Sequence, residues 1–414
     1  MEPVAAVLIG AGQRGHHVYG RWATDHPDEL RFVAVLDPDP ARVDRFQEAH
    51  PQASALATIN DLVEPDAQVC FIAAPDRVHH EATSAALAAD LDVYLEKPVA
   101  STIEDVASLA RRVAAGDRVV HVAHVLRSTP FYLAVRQVVR SGELGDIVDI
   151  AMRENVASWH MAHSYVRGNW SRAGDSSPMI VTKCCHDLDI LHWVFADPVV
   201  SLWSHGTLFE FRPERAPVGA TERCTAPCPV SNCPYDARSV YLETDNTGWP
   251  VHVVTDDFSR SGRLRALQEG PYGRCAYLAG SDVVDHQVVA MELTSGASAT
   301  LTMHGHSGRE ERTLRVDGTR ASLRGRFGAI QEIEITDHST GSTRFIDIAA
   351  HRGGHGGGDD GSIRAFLAAI RGEAEEASPL QDALESHYVA FAAEASRTSG
   401  SAVDLATFRI SVGG

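Results

Sequence analysis

The sequence predicts an α/β chain in two parts: a doubly wound parallel sheet at the N-terminus, then a C-terminal α/β domain on a mostly antiparallel, open sheet. Three observations carry this prediction. The apolar run Val4–Ile9 breaks into Gly10-Ala11-Gly12-Gln13-Arg14-Gly15 and passes into helix-compatible residues. Strand-like and helix-like segments then alternate to about residue 123, the pattern of repeated βα units. Beyond about residue 145 the runs alternate apolar and polar residues, as in a sheet with one polar face. The expected boundary divides the 414 residues into 1–125 and 126–414.

The opening segment is a strand, a tight turn and a helix start, the context in which G-x-G-x-x-G reads as a dinucleotide fingerprint. Gly10 permits the turn, and Gly12 leaves the backbone open to a pyrophosphate. Gly15 lets the helix pack close to the strand, and the amides of Gln13 and Arg14 open that helix, where unpaired N–H groups attract phosphate. Residues 31–36 form the next strand and end at Asp37, roughly 20 residues on, where a carboxylate accepts both ribose hydroxyls of NAD. A Rossmann-type NAD site is therefore expected. A helix over 39–49 follows, then a strand within 67–74, an Ala-rich helix over 77–89 and a strand over 92–95. A helix over 101–115 opens with Ser101 and Glu104 in capping-box spacing, and a strand covers 118–123. In the second part, strands are expected at 147–154, 287–294, 297–304 and 312–317, with helices at 180–195, 362–372 and 380–399.

Composition narrows the function class. With 37 basic against 55 acidic residues the net charge is −18, which argues against nucleic acid or an anionic membrane as partner. No apolar stretch reaches spanning length. The chain enters its first strand without a secretion-signal pattern, so a cytoplasmic protein is expected. Seven cysteines, clustered rather than spread, suit a reducing compartment and a local metal site better than a disulfide framework.

Three further motifs complete a recognisable set: Ala74-Pro75-Asp76-Arg77-Val78-His79, Glu96-Lys97-Pro98 and His186-Asp187-Leu188-Asp189. Together with the glycine turn they resemble the Gfo/Idh/MocA oxidoreductase family, which includes glucose–fructose oxidoreductase, inositol dehydrogenases and many sugar dehydrogenases. The resemblance implies an active site between the nicotinamide and the second sheet, and a homo-oligomer, dimer or tetramer. It implies cofactor contacts from Ala74, Pro75, His79, Glu96 and Lys97. Lys97 and His186 are the expected catalytic pair, since oxidation of a carbinol needs a group to take the hydroxyl proton. The family commonly has an Asp four residues before this His; here that position is Thr182, followed by Lys183.

Substrate contacts are expected from the donor-rich and aromatic stretch 159–170, notably His163, Arg167 and Trp170, together with Lys183 and His355. Arg167, Arg172 and Lys183 would also suit an acidic sugar. The implied reaction is NAD-dependent oxidation or reduction of a secondary hydroxyl on a sugar, sugar derivative or cyclitol. A rival is NAD-dependent glycoside hydrolysis through transient oxidation, elimination, water addition and re-reduction. A third class, an NAD-sensing protein without activity, would not need Lys97 and His186.

Cys224, Cys228 and Cys233 fall within ten residues of an irregular, Pro-rich insertion. Thiolates so close suggest tetrahedral zinc with a fourth ligand from elsewhere; Cys184, Cys185, Cys275 or a histidine could complete the site, and Cys184 or Cys185, which would tie the loop to the helix bearing His186, is preferred. The bland alternative is a set of unrelated reduced thiols.

Overall fold

In the computed structural model, residues 2–63, 66–348 and 354–413 are described. Six parallel strands form the first sheet: β1 (Val4–Ile9), β2 (Leu30–Leu36), β3 (Ser54–Ala55), β4 (Val69–Ile72), β5 (Asp92–Leu95) and β6 (Val120–Val122). Their order is β3-β2-β1-β4-β5-β6. The strand order reverses beside β1, so a crevice opens where the chain leaves β1 and β4 at their carboxyl ends, the usual ligand position in such sheets. β1 and β4 are buried along their whole length, which explains why they read as unbroken apolar runs.

Helices flank this sheet at Pro40–Ala49, His79–Ala88 and Ile103–Ala114. The last begins one residue later than the capping box implies. Its N-cap is Thr102, whose hydroxyl accepts the Asp105 amide, while the Ser101 carbonyl accepts the hydroxyl of Ser177.

The second sheet has nine strands: β7 (Ile147–Ala157), β8 (Val199–Thr207), β9 (His286–Leu293), β10 (Ser298–Ser307), β11 (Glu311–Gly318), β12 (Ala321–Gly328), β13 (Glu332–Asp337), β14 (Thr343–Ile346) and β15 (Val403–Asp404). Their order is β14-β13-β12-β11-β7-β10-β9-β8-β15. β7 and β10 run parallel and the other pairings are antiparallel. Inward residues alternate with exposed ones along β8 to β13, and the helix Cys185–Phe195 belongs to the core on the covered face. The expected helix over 180–195 is two pieces, Met179–Thr182 and Cys185–Phe195, with the break at Lys183 and Cys184.

The helix Leu380–Ser399 joins the two halves. Leu380, Ala383 and Tyr388 pack into the core of the parallel sheet, whereas Val389, Ala390, Ala392 and Ala393 pack into the larger core. Between β8 and β9 lies the insertion, with short helical turns, a helix at Arg260–Glu269 and a small core of Ala237, Tyr241, Leu242 and Leu267. Among the described residues, no helix is long and apolar enough to cross a membrane.

Candidate active site

The glycine turn divides its labour between packing and ligand. Gly10 has φ +92°, and a Cβ there would lie 2.6 Å from the Ala74 amide nitrogen; at Gly15 it would lie 1.9 Å from the Gly10 carbonyl oxygen. Both glycines are therefore demanded by the fold. Gly12 is different. A Cβ on it would meet nothing nearer than Arg42 Nη1 at 3.9 Å, so the space above this backbone is open. A pyrophosphate fits that opening, beside the start of the helical turn Gly15–Gly20.

Asp37 ends β2 beside it. Its carboxylate accepts the amides of Ala11 at 2.8 Å and Asp39 at 2.9 Å. These bonds hold the carboxylate at the rim of the turn, and Arg42 Nη1 stands 3.9 Å away. The donor set thus fits a dinucleotide: open backbone at Gly12, a fixed carboxylate at Asp37.

Other residues expected to touch the cofactor prove to brace its site. Arg14 contacts Glu96 at 2.5 Å and Asp359 at 2.8 Å, and donates to the Tyr19 hydroxyl. Burial alone would raise the Glu96 carboxyl, but Arg14 and the Tyr19 hydroxyl bonded to it keep it below the ordinary value. The two nitrogens of the buried His79 ring lie 2.7 Å from the Pro98 carbonyl oxygen and 2.9 Å from that of Ala74. His79 thereby ties the Ala74-Pro75 loop to the Glu96-Lys97-Pro98 turn. Gln13 bonds His252 of the insertion.

Lys97 and His186 come together where the two halves meet. Glu96 accepts the Lys97 amide at 3.2 Å, and Lys97 Nζ donates to the Thr182 carbonyl at 2.8 Å. Where the family commonly has a carboxylate, this chain offers a main-chain oxygen, and the Thr182 hydroxyl turns back to Pro178 and Met179. His186 is buried, and its pKa is driven well below the ordinary value, by burial first and then by nearby Lys97 and His124. Its enclosed Nδ1 has no hydrogen-bond partner among the described residues. His355 approaches with ring centroids 6.1 Å apart and is held by Asp359 at 3.1 Å.

A buried ionic group lines the sheet side. Glu154 on β7 lies 3.3 Å from Lys183 Nζ and 2.7 Å from Arg312 Nε on β11; Arg312 also reaches Asp187 at 2.9 Å. Glu310 contacts His160 at 2.8 Å, and Lys183 stands 4.0 Å from Glu310. Burial opposes ionisation of Glu310, but its bond to His160 and nearby Lys183 bring it down to about 2. Sequence reasoning missed Glu154, Arg312 and Glu310, whereas His160 lay in the expected stretch 159–170 without being singled out. A signal existed for the first two, because each is a charged residue at an inward position of an alternating strand. Asp189 and Asp187 are structural contacts, the former pairing with Arg127 at 2.5 Å.

The loop expected to gather substrate contacts faces the insertion instead. Arg167 Nε donates to the carbonyl of Arg274 at 2.7 Å and its Nη2 to that of Tyr235 at 2.6 Å, so these donors hold the insertion's backbone. His163 bonds the Tyr241 hydroxyl at 2.7 Å and stacks on Tyr272. Burial, with His160 beside it, drives its pKa down to about 3. Trp170 donates to Asp76 at 3.0 Å and bridges the two halves. Trp249 of the insertion packs within 5.0 Å of both Trp159 and His160, ring centroid to ring centroid.

Cys184 does not join the insertion. The chain break before the helix Cys185–Phe195 turns it into the large core, where burial pushes its thiol well up. Cys275 instead lines one cavity with Cys224, Cys228 and Cys233. Among the described residues, no three His, Cys, Asp or Glu side chains already stand arranged to hold a metal ion.

An open dinucleotide turn, with a lysine–histidine pair facing a second sheet, defines an NAD-binding oxidoreductase. The chain belongs to the Gfo/Idh/MocA oxidoreductase family: residues 4–124 match its NAD-binding Rossmann fold and residues 136–405 its C-terminal α/β domain. It is 21% identical to YteT of Bacillus subtilis, over 79% of this chain and 80% of that one. It is 29% identical to an inositol 2-dehydrogenase of Pseudomonas fluorescens, over 47% of this chain and 55% of that one. Its fold resembles that of an oxidoreductase from Agrobacterium radiobacter solved with NAD+, L-tartaric acid and magnesium, with TM-score 0.69 and 16% identity, covering 98% of this chain and 99% of that one.

Proposed function

We propose that the chain is an NAD-dependent dehydrogenase acting on a secondary hydroxyl of a neutral sugar, sugar derivative or cyclitol. The observation that carries the reading is the convergence of Lys97 and the neutral, unpartnered His186 across the cleft from the open Gly12 backbone. Gly12, Asp37 and the amides after the glycine turn would hold the dinucleotide, which when bound supplies a hydride acceptor. Lys97 has an ammonium with three donors. One is fixed on Thr182, which leaves the others to orient a substrate oxygen. The neutral His186 ring would accept the hydroxyl proton of that substrate through Nε2, since its Nδ1 is enclosed.

The cations that would suit an acidic sugar are already matched. Lys183 faces Glu154 and Glu310, Arg172 is 3.9 Å from Asp282, and Arg167 is bound to carbonyls. A lining of balanced charges offers donors and acceptors to hydroxyl groups rather than a net field for a carboxylate. A metal in the cysteine-rich insertion would belong to the architecture and not to the proton chemistry. The reading also includes assembly of identical copies through the open face of the nine-stranded sheet, where Trp203 is exposed; light scattering of Trp203→Glu against the parent chain checks it.

The deciding experiment incubates the protein with NAD+ and a panel of cyclitols, free sugars and aryl glycosides. Reduced-nicotinamide absorbance and aglycone release are followed together. Absorbance growing with a polyol supports the reading. Aglycone release without net reduction would replace it with the hydrolytic route, and silence on both channels with NAD+ bound would point to a sensor.

A further inference from the structure

The insertion has more to hold in place than its own core can hold. Its separate small core buries Ala237, Tyr241, Leu242 and Leu267, while Phe211, Tyr235, Ala276 and Tyr277 nearer its two ends pack into the larger core, and its aromatic residues must be presented to His160 and His163. Small modules with cores of this size are usually stapled by disulfides or metal. The chain's seven cysteines are all free thiols, and three of them, Cys70, Cys184 and Cys185, are buried elsewhere.

The remaining four meet in one place. Cys224, Cys228, Cys233 and Cys275 line a single cavity of about 30 Å³ between the two ends of the insertion. Backbone pairing brings the distant partner in: Arg223 and Arg274 form an antiparallel bridge, flanked by Cys224 N–H to Gly273 carbonyl at 2.9 Å and Cys275 N–H to Glu222 carbonyl at 2.8 Å. Because side chains alternate across a strand, Cys224 and Cys275 project to the same face of that pair. Two sulfurs receive backbone donors in matching Cys-x-Tyr turns. The Tyr235 amide is directed at Cys233, and the amides of Tyr277 and Leu278 at Cys275. A cation also attends the group, since Arg167 Nη2 lies 3.7 Å from Cys224 Sγ.

We propose that Cys224, Cys228, Cys233 and Cys275 form a tetrahedral four-thiolate zinc site that closes the insertion and docks it on Arg167. Four sulfur ligands with no open position are the pattern of a structural zinc. The sulfurs line the cavity rather than touching at its centre, so closure on an ion takes rotation about each Cα–Cβ bond. Binding releases the thiol protons and leaves a doubly negative centre, which the Arg167 guanidinium partly offsets. Arg167 ends the helical turn Met161–Arg167 that carries His163, and His163 in turn holds Tyr241 and Tyr272. The zinc would thus fix the aromatic wall of the cleft without touching a reacting atom.

The test reads metal and not turnover, so its failure leaves the proposed activity standing, and failure of that activity leaves this site standing. The purified full chain is analysed for metals, then titrated with an organomercurial while released zinc is followed with a chromogenic chelator. About one zinc per chain, released as four thiols are consumed, is expected. Cobalt replacement should give the visible bands of a tetrahedral thiolate complex. Cys275→Ser should lose the metal, while Cys184→Ser should keep it. If Cys275→Ser does not fold, the mercurial stoichiometry and the cobalt spectrum on the parent chain decide. Absence of stoichiometric metal, stoichiometric iron, a disulfide among the four, or metal retained in Cys275→Ser and lost in Cys184→Ser would each overturn the assignment.

Discussion

Glu154 and Arg312 stand directly opposite each other on β7 and β11, both at positions whose strand neighbours point into the core. The pair is buried, and Arg312 is shared with Asp187. Removing the cation leaves the buried Asp187 without its partner and Glu154 with Lys183 alone. Arg312→Met should therefore destabilise the chain by about 3–5 kcal/mol, the usual cost of breaking a buried pair from one side. Urea unfolding measures this. A loss under ~1 kcal/mol would show that the group is solvated and not the wall described above.

Lys97→Ala and His186→Ala should each lower kcat by about 10²–10⁴, the usual worth of a positioned proton-transfer group. NAD+ affinity should stay within a few-fold in both, because the cofactor-facing geometry rests on Gly12 and Asp37. Isothermal titration and initial rates separate the two effects. Lys183→Ala should chiefly raise KM, since Lys183 touches Glu154 and Glu310 and not Lys97's anchor. A collapse of kcat in Lys183→Ala would instead give Lys183 the proton role.

How much of this could be read from the sequence depends on what each residue answers to. Gly10, Gly15 and Asp37 answer to local geometry, since a turn, a close helix and a strand end are set by near neighbours in the chain. Their motif was legible. The strands β7, β9, β10 and β11 were legible too, because alternation is a local signal. β8, β12, β13 and β14 were not singled out; several carry Ser, Arg or Gly between their inward residues, which blurs the period. Partners across long separations were beyond reach. The Arg14 side chain pairs with Asp359, 345 residues away, a partner that no local pattern announces. Cys184 was nearer the active-site motif than Cys275, yet it packs in the large core, and the Arg223–Arg274 bridge brings Cys275 to the cavity lined by Cys224, Cys228 and Cys233. The expected helix start at Ser101 missed by one residue because Thr102 could cap equally well.

Acid should destabilise the fold from an unusually high pH. His124, His163, His186 and His387 are buried, and burial holds all four below the ordinary histidine value, His163 at about 3 and His387 at about 4. Above about pH 6.5 these rings are neutral in both folded and unfolded chains and contribute no pH dependence. Below it the unfolded chain takes up protons that the folded chain refuses, so stability falls as pH falls. Each such ring contributes a slope of about 1.4 kcal/mol per pH unit between ~6 and ~4. Tm should be flat from pH 7 to 8 and decline steadily below about 6.5, before the carboxylates titrate. His387→Gln should reduce the slope by about one proton; an unchanged slope would mean that His387 is protonated within the fold.

Cofactor choice should hinge on Asp37 more sharply than its charge alone implies. The carboxylate both rims the ribose position and faces Arg42 at 3.9 Å. NAD should bind at least about tenfold more tightly than NADP, because an additional phosphate would meet Asp37. Asp37→Ser removes that repulsion and frees Arg42 to receive a 2′-phosphate. The variant should therefore reverse the preference, not merely relax it. Fluorescence titration with both dinucleotides decides, and Asp37→Ser combined with Arg42→Ala should bind neither with preference. Tight NADP binding by the parent chain would contradict the assignment.

Gly12 and Gly15 provide the cleanest separation of ligand from fold, because they sit three residues apart in one turn and fail for different reasons. A methyl on Gly15 would lie 1.9 Å from the Gly10 carbonyl oxygen and 3.2 Å from a Leu8 methyl, both part of the β1 core. Neither the backbone oxygen nor β1 can yield cheaply, so Gly15→Ala should cost about 1–3 kcal/mol of stability or more. A methyl on Gly12 meets only the far end of the flexible Arg42 side chain, at 3.9 Å. Gly12→Ala should thus melt with the parent chain while losing NAD+ affinity by tenfold or more, because the methyl occupies the space a pyrophosphate needs against the backbone. Equal NAD+ affinity in Gly12→Ala and the parent would move the phosphates away from this turn, and with them the hydride acceptor would leave the reach of Lys97 and His186.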